Sequence, residues 1–355
     1  MTVPTLADDL DHILDRTEPL WREIGGERLF ITGGTGFFGR WLLESLVHAN
    51  ARLGLQISAV VLTRNAGAFR RDMPALVGNA AIAFHEGDLA HFTFPDGTFS
   101  HVLHMGTTAS VATFNNETPL AKFANIVTGT ERTLEFSVHC GASKFLLTSS
   151  GAMYGRQPSN VSHLAEDQGC AADPTLTSAA VGHSKRTAEF LTAAYGEQHG
   201  FDATIARCFS FVGRHLPLDI HYAIGNFMRD AISGGPIEVR GDGTPRRSYL
   251  YAADLVIWLM TILRRGAAGR AYNVGSEDDV SIAELASRVA RQAPSPVAVR
   301  IARAAAASAP DRYVPSTQRA QQELGLRQSI SLDEAIARTL RDILPPARPA
   351  AASTP

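Results

Sequence analysis

The chain has 355 residues, 45% of them hydrophobic, enough to bury one large core or two coupled lobes. Its 35 acidic and 33 basic residues nearly cancel, which leaves no broad field to attract nucleic acid or an anionic membrane. The three cysteines, Cys140, Cys170 and Cys208, are too far apart for a local metal site or a disulfide framework; no stretch reaches the ~20 apolar residues of a membrane span, and the acidic N-terminus does not read as a signal peptide, so a cytoplasmic protein without a metal is expected.

Residues 1–26 read as a helical extension. In "LADDLDHILDRTEPLWREI" the apolar positions Leu10, Ile13, Leu14 and Leu20 recur near a 3.6-residue period. Short apolar runs then alternate with helix-length segments: "RLFITGG", "ISAVVLTR", "AIAFHEGDL", "HVLHMG", "SKFLLTSS" and "ATIARCFSFVG". Such alternation predicts parallel strands with helices on both faces, a doubly wound α/β domain over 27–205. From residue 206 Gly and Pro punctuation ("HLPLD", "SGGP", "GDGTP") marks a smaller, loop-rich lobe running to 344, with 270–275 returning to the main sheet. The last residues, 345–355, have low complexity and nothing to pack, and are expected to be disordered.

The strongest motif is "FITGGTGFFGRWLLESL". Its glycines, Gly33, Gly36 and Gly39, stand between a strand and a helix, where they let a tight turn close and the backbone approach a pyrophosphate at the helix N-terminus; Thr35, Phe37 and Phe38 complete the turn. The second strand ends on Thr63 and Arg64 with no carboxylate, so a 2′-phosphate is favoured over a free ribose, hence NADP over NAD. Asp88, in "GDL", is a candidate for the adenine amino group or a plain turn aspartate.

From about residue 27 to about 340 the sequence resembles the extended short-chain dehydrogenase/reductases, especially nucleotide-sugar epimerases, dehydratases and 4-ketoreductases. The resemblance rests on "TGGTGFFG", "GDL", "HMGTT", "NIVTGTERTLEFS", "LLTSSGAMYG", "GHSKRTAE", "GDGTPRRSYLYAADL", "AYNVG" and "DRYVPSTQRAQQELGL", in family order. It implies a Rossmann domain with a smaller C-terminal substrate lobe, a nucleoside-diphosphate sugar substrate and a homodimer. Leu89, Met105 and Gly106 would then join the cofactor site, and Thr108 the substrate site.

Removing a hydride from a sugar carbon requires a base on its hydroxyl. The family uses a tyrosine whose pKa is lowered by a lysine one helical turn away, with a Ser or Thr donating to the reacting oxygen. Ser150 and Lys185 match the last two, and Lys185 should also bond the nicotinamide ribose; the tyrosine position holds Val181. Tyr154 reads as a packing residue and His183 as an exposed one. Gly151 and Ala152 stand where 4,6-dehydratases carry an Asp-Glu pair. Dehydration by the usual route is therefore disfavoured, and C4 epimerisation or 4-keto reduction remains. The alternatives are dehydration by another route and a silent homologue that binds sugar nucleotides without turnover. In the second lobe Arg247 and Arg312 resemble the family's diphosphate arginines, with Arg246 beside them, while Asn226 and Ser210 fall at substrate positions. A reductase of non-nucleotide carbonyls would need no such arginines.

Overall fold

The structure, a computed structural model, describes residues 3–107, 117–220, 222–304 and 309–344. Thr108 and the segment 345–355 lie outside the described residues. The strands are β1 (Arg28–Thr32), β2 (Ser58–Thr63), β3 (Ile82–Glu86), β4 (His101–His104), β5 (Lys144–Ser150), β6 (Asp202–Cys208), β7 (Phe211–Val212), β8 (Ile237–Val239), β9 (Arg246–Ser248), β10 (Leu250–Tyr251), β11 (Ala271–Val274), β12 (Asp279–Ser281), β13 (Val299–Ile301) and β14 (Arg312–Tyr313). The helices are α1 (Leu6–Glu23), α2 (Phe37–Leu53), α3 (Ala66–Asp72), α4 (Pro74–Val77), α5 (Pro119–His139), α6 (Ala180–His199), α7 (Ala223–Ile232), α8 (Ala252–Arg265), α9 (Ile282–Arg291), α10 (Gln318–Leu324) and α11 (Leu332–Ile343).

Seven strands form one sheet in the order β11-β6-β5-β4-β1-β2-β3, and every neighbouring pair is parallel. Strand β4 is buried along its whole length, as a parallel strand covered on both faces must be. Alternate residues divide between two cores, as the period of two requires: Leu29, Ile31, Val61 and Leu146 join one, and Phe30, Val60, Leu62, Phe145 and Leu147 the other. The chain runs outward from β1 to β3 and then returns to β4 on the other side of β1. The crevice at the C-terminal ends of β1 and β4 is therefore the topological switch point, where open α/β sheets bind ligands. Beyond β6, three small sheets (β10-β7, β12-β9-β14 and β13-β8) build the second lobe.

Helix α1 begins with a capping box between Thr5 and Asp8. It buries Ile13 and Trp21 in the same core as Trp258 of α8. It also buries Asp9 completely. Tyr251 donates its hydroxyl to that carboxylate at 2.6 Å, and Arg338 of α11 forms an ion pair with it. Burial raises the Asp9 pKa, with the two donors pulling against it. An isolated buried carboxylate is far more costly than the pair, so Arg338→Ala is expected to lower the unfolding free energy by about 3–5 kcal/mol, read by chemical denaturation.

Candidate functional site

The turn after β1 is shaped by contacts that only glycine permits. Gly33 has φ +72°, and a Cβ there would lie 2.5 Å from the Met105 carbonyl carbon and 2.7 Å from the Gly106 nitrogen. A Cβ at Gly39 would lie 2.3 Å from the Gly34 Cα, so the helix can sit against the turn only without it. Gly36 caps α2 with no side-chain hydrogen bond. The first-turn N–H groups thus meet no capping oxygen, and with the bare backbone around them they form a cradle of the kind that takes a pyrophosphate. Arg40 holds the turn from behind, donating Nε–H to the Thr35 carbonyl at 3.0 Å. Phe37 and Phe38 are half-buried, with Phe38 edge-on to Phe211 at 5.0 Å.

A buried polar chain ties this turn to β4. The Gly106 N–H donates to Thr32 Oγ1 at 3.0 Å, and Thr32 Oγ1 lies 2.8 Å from His104 Nδ1. Thr130 spends its proton on the Ile126 carbonyl, so at 3.0 Å its oxygen accepts from His104 Nε2. That fixes the tautomer: Nδ1 accepts from Thr32. Burial, and then the Lys185 charge, push the His104 pKa down to about 3, which keeps the ring neutral. Leu89 packs where a Cβ on Gly106 or Gly129 would stand. Asp88 is exposed, and one carboxylate oxygen accepts from its own turn's Ala90 N–H at 3.0 Å. Arg64, just past the end of β2, is also exposed.

At the end of β5, Ser150 Oγ accepts from the Ala152 N–H at 3.1 Å, which leaves its own proton to donate. Lys185 is 5% exposed, and its Nζ donates to the Thr148 carbonyl at 2.7 Å. Burial lowers its pKa to about 8, with Cys208 and Glu189 opposing. Sequence reasoning did not single out Thr148, since a carbonyl carries no residue-type signal. Val181 sits one turn before Lys185 and packs, partly buried, against the core. Tyr154 is fully buried. It donates to Asn273 Oδ1 at 2.9 Å and accepts from Arg207 at 2.8 Å. Burial pushes its pKa up to about 12, and its hydroxyl is already engaged by Asn273 and Arg207, as in a packing position. His183 is half-buried rather than exposed.

The second lobe faces Ser150 with the sheet β12-β9-β14. Arg312 pairs with Arg246 and Tyr313 with Arg247 in parallel register. Strand alternation therefore puts Arg247 and Tyr313 on one face, and Arg246 and Arg312 on the other. The Tyr313 hydroxyl lies 3.5 Å from Ser150 Oγ, so it is Arg247 that shares the face turned to the site. Arg247 is held by Asp311 at 2.8 Å. Arg312 instead meets Asp279 at 2.7 Å, together with Arg246, and it is not brought together with Ser150. Ser210 is half-buried, its carbonyl accepting from the Leu250 N–H, while Asn226 Oδ1 accepts from Arg229 at 3.2 Å. Among the described residues there is no cluster of three metal-ligating side chains, and no helix is long and apolar enough to cross a membrane. Tyr313, like Thr148, was not singled out from the sequence: its only signal was its place next to Arg312.

Residues 29–275 match the NAD dependent epimerase/dehydratase family. The chain is 26% identical over 318 residues to UDP-glucuronic acid decarboxylase 1 of Arabidopsis thaliana, spanning 89% of this chain and 69% of the relative. Among solved structures it is similar in fold to the epimerase Mth375 of Methanothermobacter thermautotrophicus, with a TM-score of 0.73 at 23% identity over 93% of this chain and 94% of the other. The same holds for DesIV, a dTDP-glucose 4,6-dehydratase of Streptomyces venezuelae solved with NAD bound, with a TM-score of 0.73 at 23% identity over 88% and 96%.

The chain contains only three lysines, Lys122, Lys144 and Lys185, which makes the buried ammonium directly observable. In a pH titration followed by NMR of isotope-labelled lysine, one of the three signals is expected to titrate near pH 8. Lys185→Met should remove that signal; an unshifted Lys185 would remove the charge argument for the site.

Proposed function

The chain belongs to the NAD dependent epimerase/dehydratase family, and from that premise we propose that it acts at C4 of a nucleoside-diphosphate hexose, as a 4-ketoreductase. The observation that carries this reading is the convergence of Ser150 and the buried Lys185 at the end of β5, between the glycine cradle and the lobe bearing Arg247. A bound nicotinamide dinucleotide would supply the hydride. The cradle of Gly33, Gly36 and Gly39 would hold its pyrophosphate, Met105 and Gly106 would border its path, and Lys185 would bond its ribose and carry positive charge beside the reacting centre. Ser150 would donate its free proton to the substrate oxygen, where negative charge develops. Arg247 would anchor the diphosphate, with Asn226 and Ser210 nearby in the lobe.

Position 181 offers only a hydrocarbon where the alcohol proton is taken in oxidation and supplied in reduction, so in either direction another group must carry that proton. Dehydration needs an acid and a base next to Ser150, and a Cβ at position 151 would meet the Phe209 ring and the Tyr313 hydroxyl at 2.7 Å. Arg64, exposed in a strand end "VVLTRN" that carries no acidic residue of its own, supports NADPH over NADH, with the neighbouring Glu86 of β3 engaged by the Ala66 N–H at 3.3 Å. Val181 also favours the second reading, a protein that binds sugar nucleotides without turning them over. Homodimer formation is supported by exposed apolar residues on neighbouring helices: Leu120 (83% exposed), Phe123 and Val138 on α5, and Phe190 (69%) on α6.

The direct test is an NMR time course with NADPH or NADH and a panel of nucleoside-diphosphate hexoses that includes 4-keto-6-deoxy forms. Reduction of a 4-keto sugar is expected, with Arg64→Ala lowering the preference for NADPH about tenfold or more through loss of a charge-assisted hydrogen bond. Arg247→Ala should weaken sugar-nucleotide binding by a similar factor. Failure of every sugar nucleotide to bind would overturn the reading. Sedimentation should give twice the 38.1 kDa mass of the chain, and Phe190→Glu should shift it towards the monomer.

A further inference from the structure

We propose that Tyr313, delivered by β14 of the second lobe, is the proton donor to the substrate carbonyl oxygen, taking over the task that the family resemblance assigns to the residue at position 181. This inference rests on the reading of the site as a sugar-nucleotide ketoreductase.

Three features carry it. The first is distance. The Tyr313 and Ser150 hydroxyl oxygens are 3.5 Å apart, at the outer limit of a hydrogen bond, so their mutual bond is weak and both protons can turn to a third oxygen placed against them. Ser150 Oγ already accepts from the Ala152 N–H, which directs its remaining proton outward. The second is space. A Cβ at position 151 would stand 2.7 Å from the Tyr313 oxygen and 2.7 Å from the Phe209 ring. Gly151 is thus what allows a phenol to reach the end of β5, in the place where a dehydratase would keep its acidic side chain. The third is rigidity. The Tyr313 ring packs on Phe209 at 4.7 Å, and Tyr313 pairs with Arg247 across β9 and β14, so the phenol is positioned by the same small sheet that carries the proposed diphosphate anchor.

The step balances on this chain's residues. As the carbonyl carbon receives a hydride from the reduced nicotinamide, the π pair of the C=O bond becomes a lone pair on oxygen. The Tyr313 O–H bond breaks and its proton passes to that oxygen, giving the alcohol and a phenolate. The phenolate regains its proton from water admitted when the product leaves. Electrostatics agree with this direction. Burial pushes the Tyr313 pKa up to about 12, with the Ser150 hydrogen bond and Arg247 pulling it back, so the phenol stays protonated at neutral pH. A group in that state holds at neutral pH the proton that reduction needs and no phenolate to begin an oxidation, and because burial also makes it a weaker acid, the transfer is driven by the negative charge that develops on the substrate oxygen.

The test compares the parent protein, Tyr313→Phe and the double variant Tyr313→Phe/Val181→Tyr. Phenylalanine keeps the ring on Phe209, and matching melting curves would establish that the fold is retained. Two readouts are taken: reduction of a 4-keto-6-deoxyhexose nucleotide with NADPH, and calorimetric binding, without cofactor, of that sugar nucleotide and of the bare nucleoside diphosphate. The proposal expects kcat to fall about 100-fold or more in Tyr313→Phe, the usual contribution of a positioned acid. Binding of the keto sugar should weaken about two- to tenfold, the loss of one hydrogen bond to the carbonyl, with binding of the nucleoside diphosphate unchanged. Recovery of turnover in the double variant would add support, because it returns a hydroxyl to the face of Lys185. The proposal is overturned if Tyr313→Phe turns over within about threefold of the parent, or if the parent binds keto sugar nucleotides without reducing them and Tyr313→Phe binds them equally well. Absence of nucleotide binding by the parent would instead sink the reading of the substrate class on which the proposal rests, and the calorimetry separates the two failures.

Discussion

The site depends first on how closely α6 approaches the end of β5. A Cβ at Gly182 would lie 2.4 Å from the Ala152 carbonyl oxygen, so the first turn of the helix rests directly on the short helical turn Gly151–Tyr154. One residue without a side chain brings the backbones together. Lys185, three positions on, is then carried below that contact, where the Thr148 carbonyl captures it. An ammonium buried this deeply is costly unless its protons are satisfied, and the Thr148 carbonyl takes one of them.

Beneath this contact lies a polar network that gives Ser150 a rigid support. Glu189 of α6 is joined to Arg207 of β6 at 2.8 Å and accepts the Ser149 hydroxyl proton. Arg207 continues to Tyr154, Tyr154 to Asn273 of β11, and Asn273 to the Leu164 and Ser316 carbonyls. The sheet, α6 and the segment leading out of β14 are thereby locked in one arrangement. A partly satisfied network of this kind would be worse than an apolar core, so its value lies in specifying geometry.

The second lobe adds chemistry to that support. Its three-stranded sheet sorts charge by face: Arg246 and Arg312 converge on Asp279, while Arg247 and Tyr313 turn towards Ser150. Tyr313 and an acidic side chain at position 151 would claim the same volume. The absence of a side chain at 151 and the presence of a phenol at 313 are therefore two sides of one packing arrangement.

Much of this was legible in the sequence. The alternation of apolar runs and helical segments gave the parallel sheet, because burial on both faces leaves strands no polar alternation. "FITGGTGFFG" placed the cradle, because only glycine tolerates the φ of Gly33 and the contacts of Gly33 and Gly39. "GHSKRTAE" located Lys185 and exposed the gap at Val181. These are local signals, written in residues a few positions apart. What the sequence could not determine was which groups meet across long separations. Arg247 and Arg312 look equivalent as letters, and only the pairing of β9 with β14 put them on opposite faces. Tyr313 stands 163 positions from Ser150, and no spacing rule connects them. Their meeting is decided by strand register and by the room left at Gly151, properties of the folded chain that exist only once the two lobes are packed together.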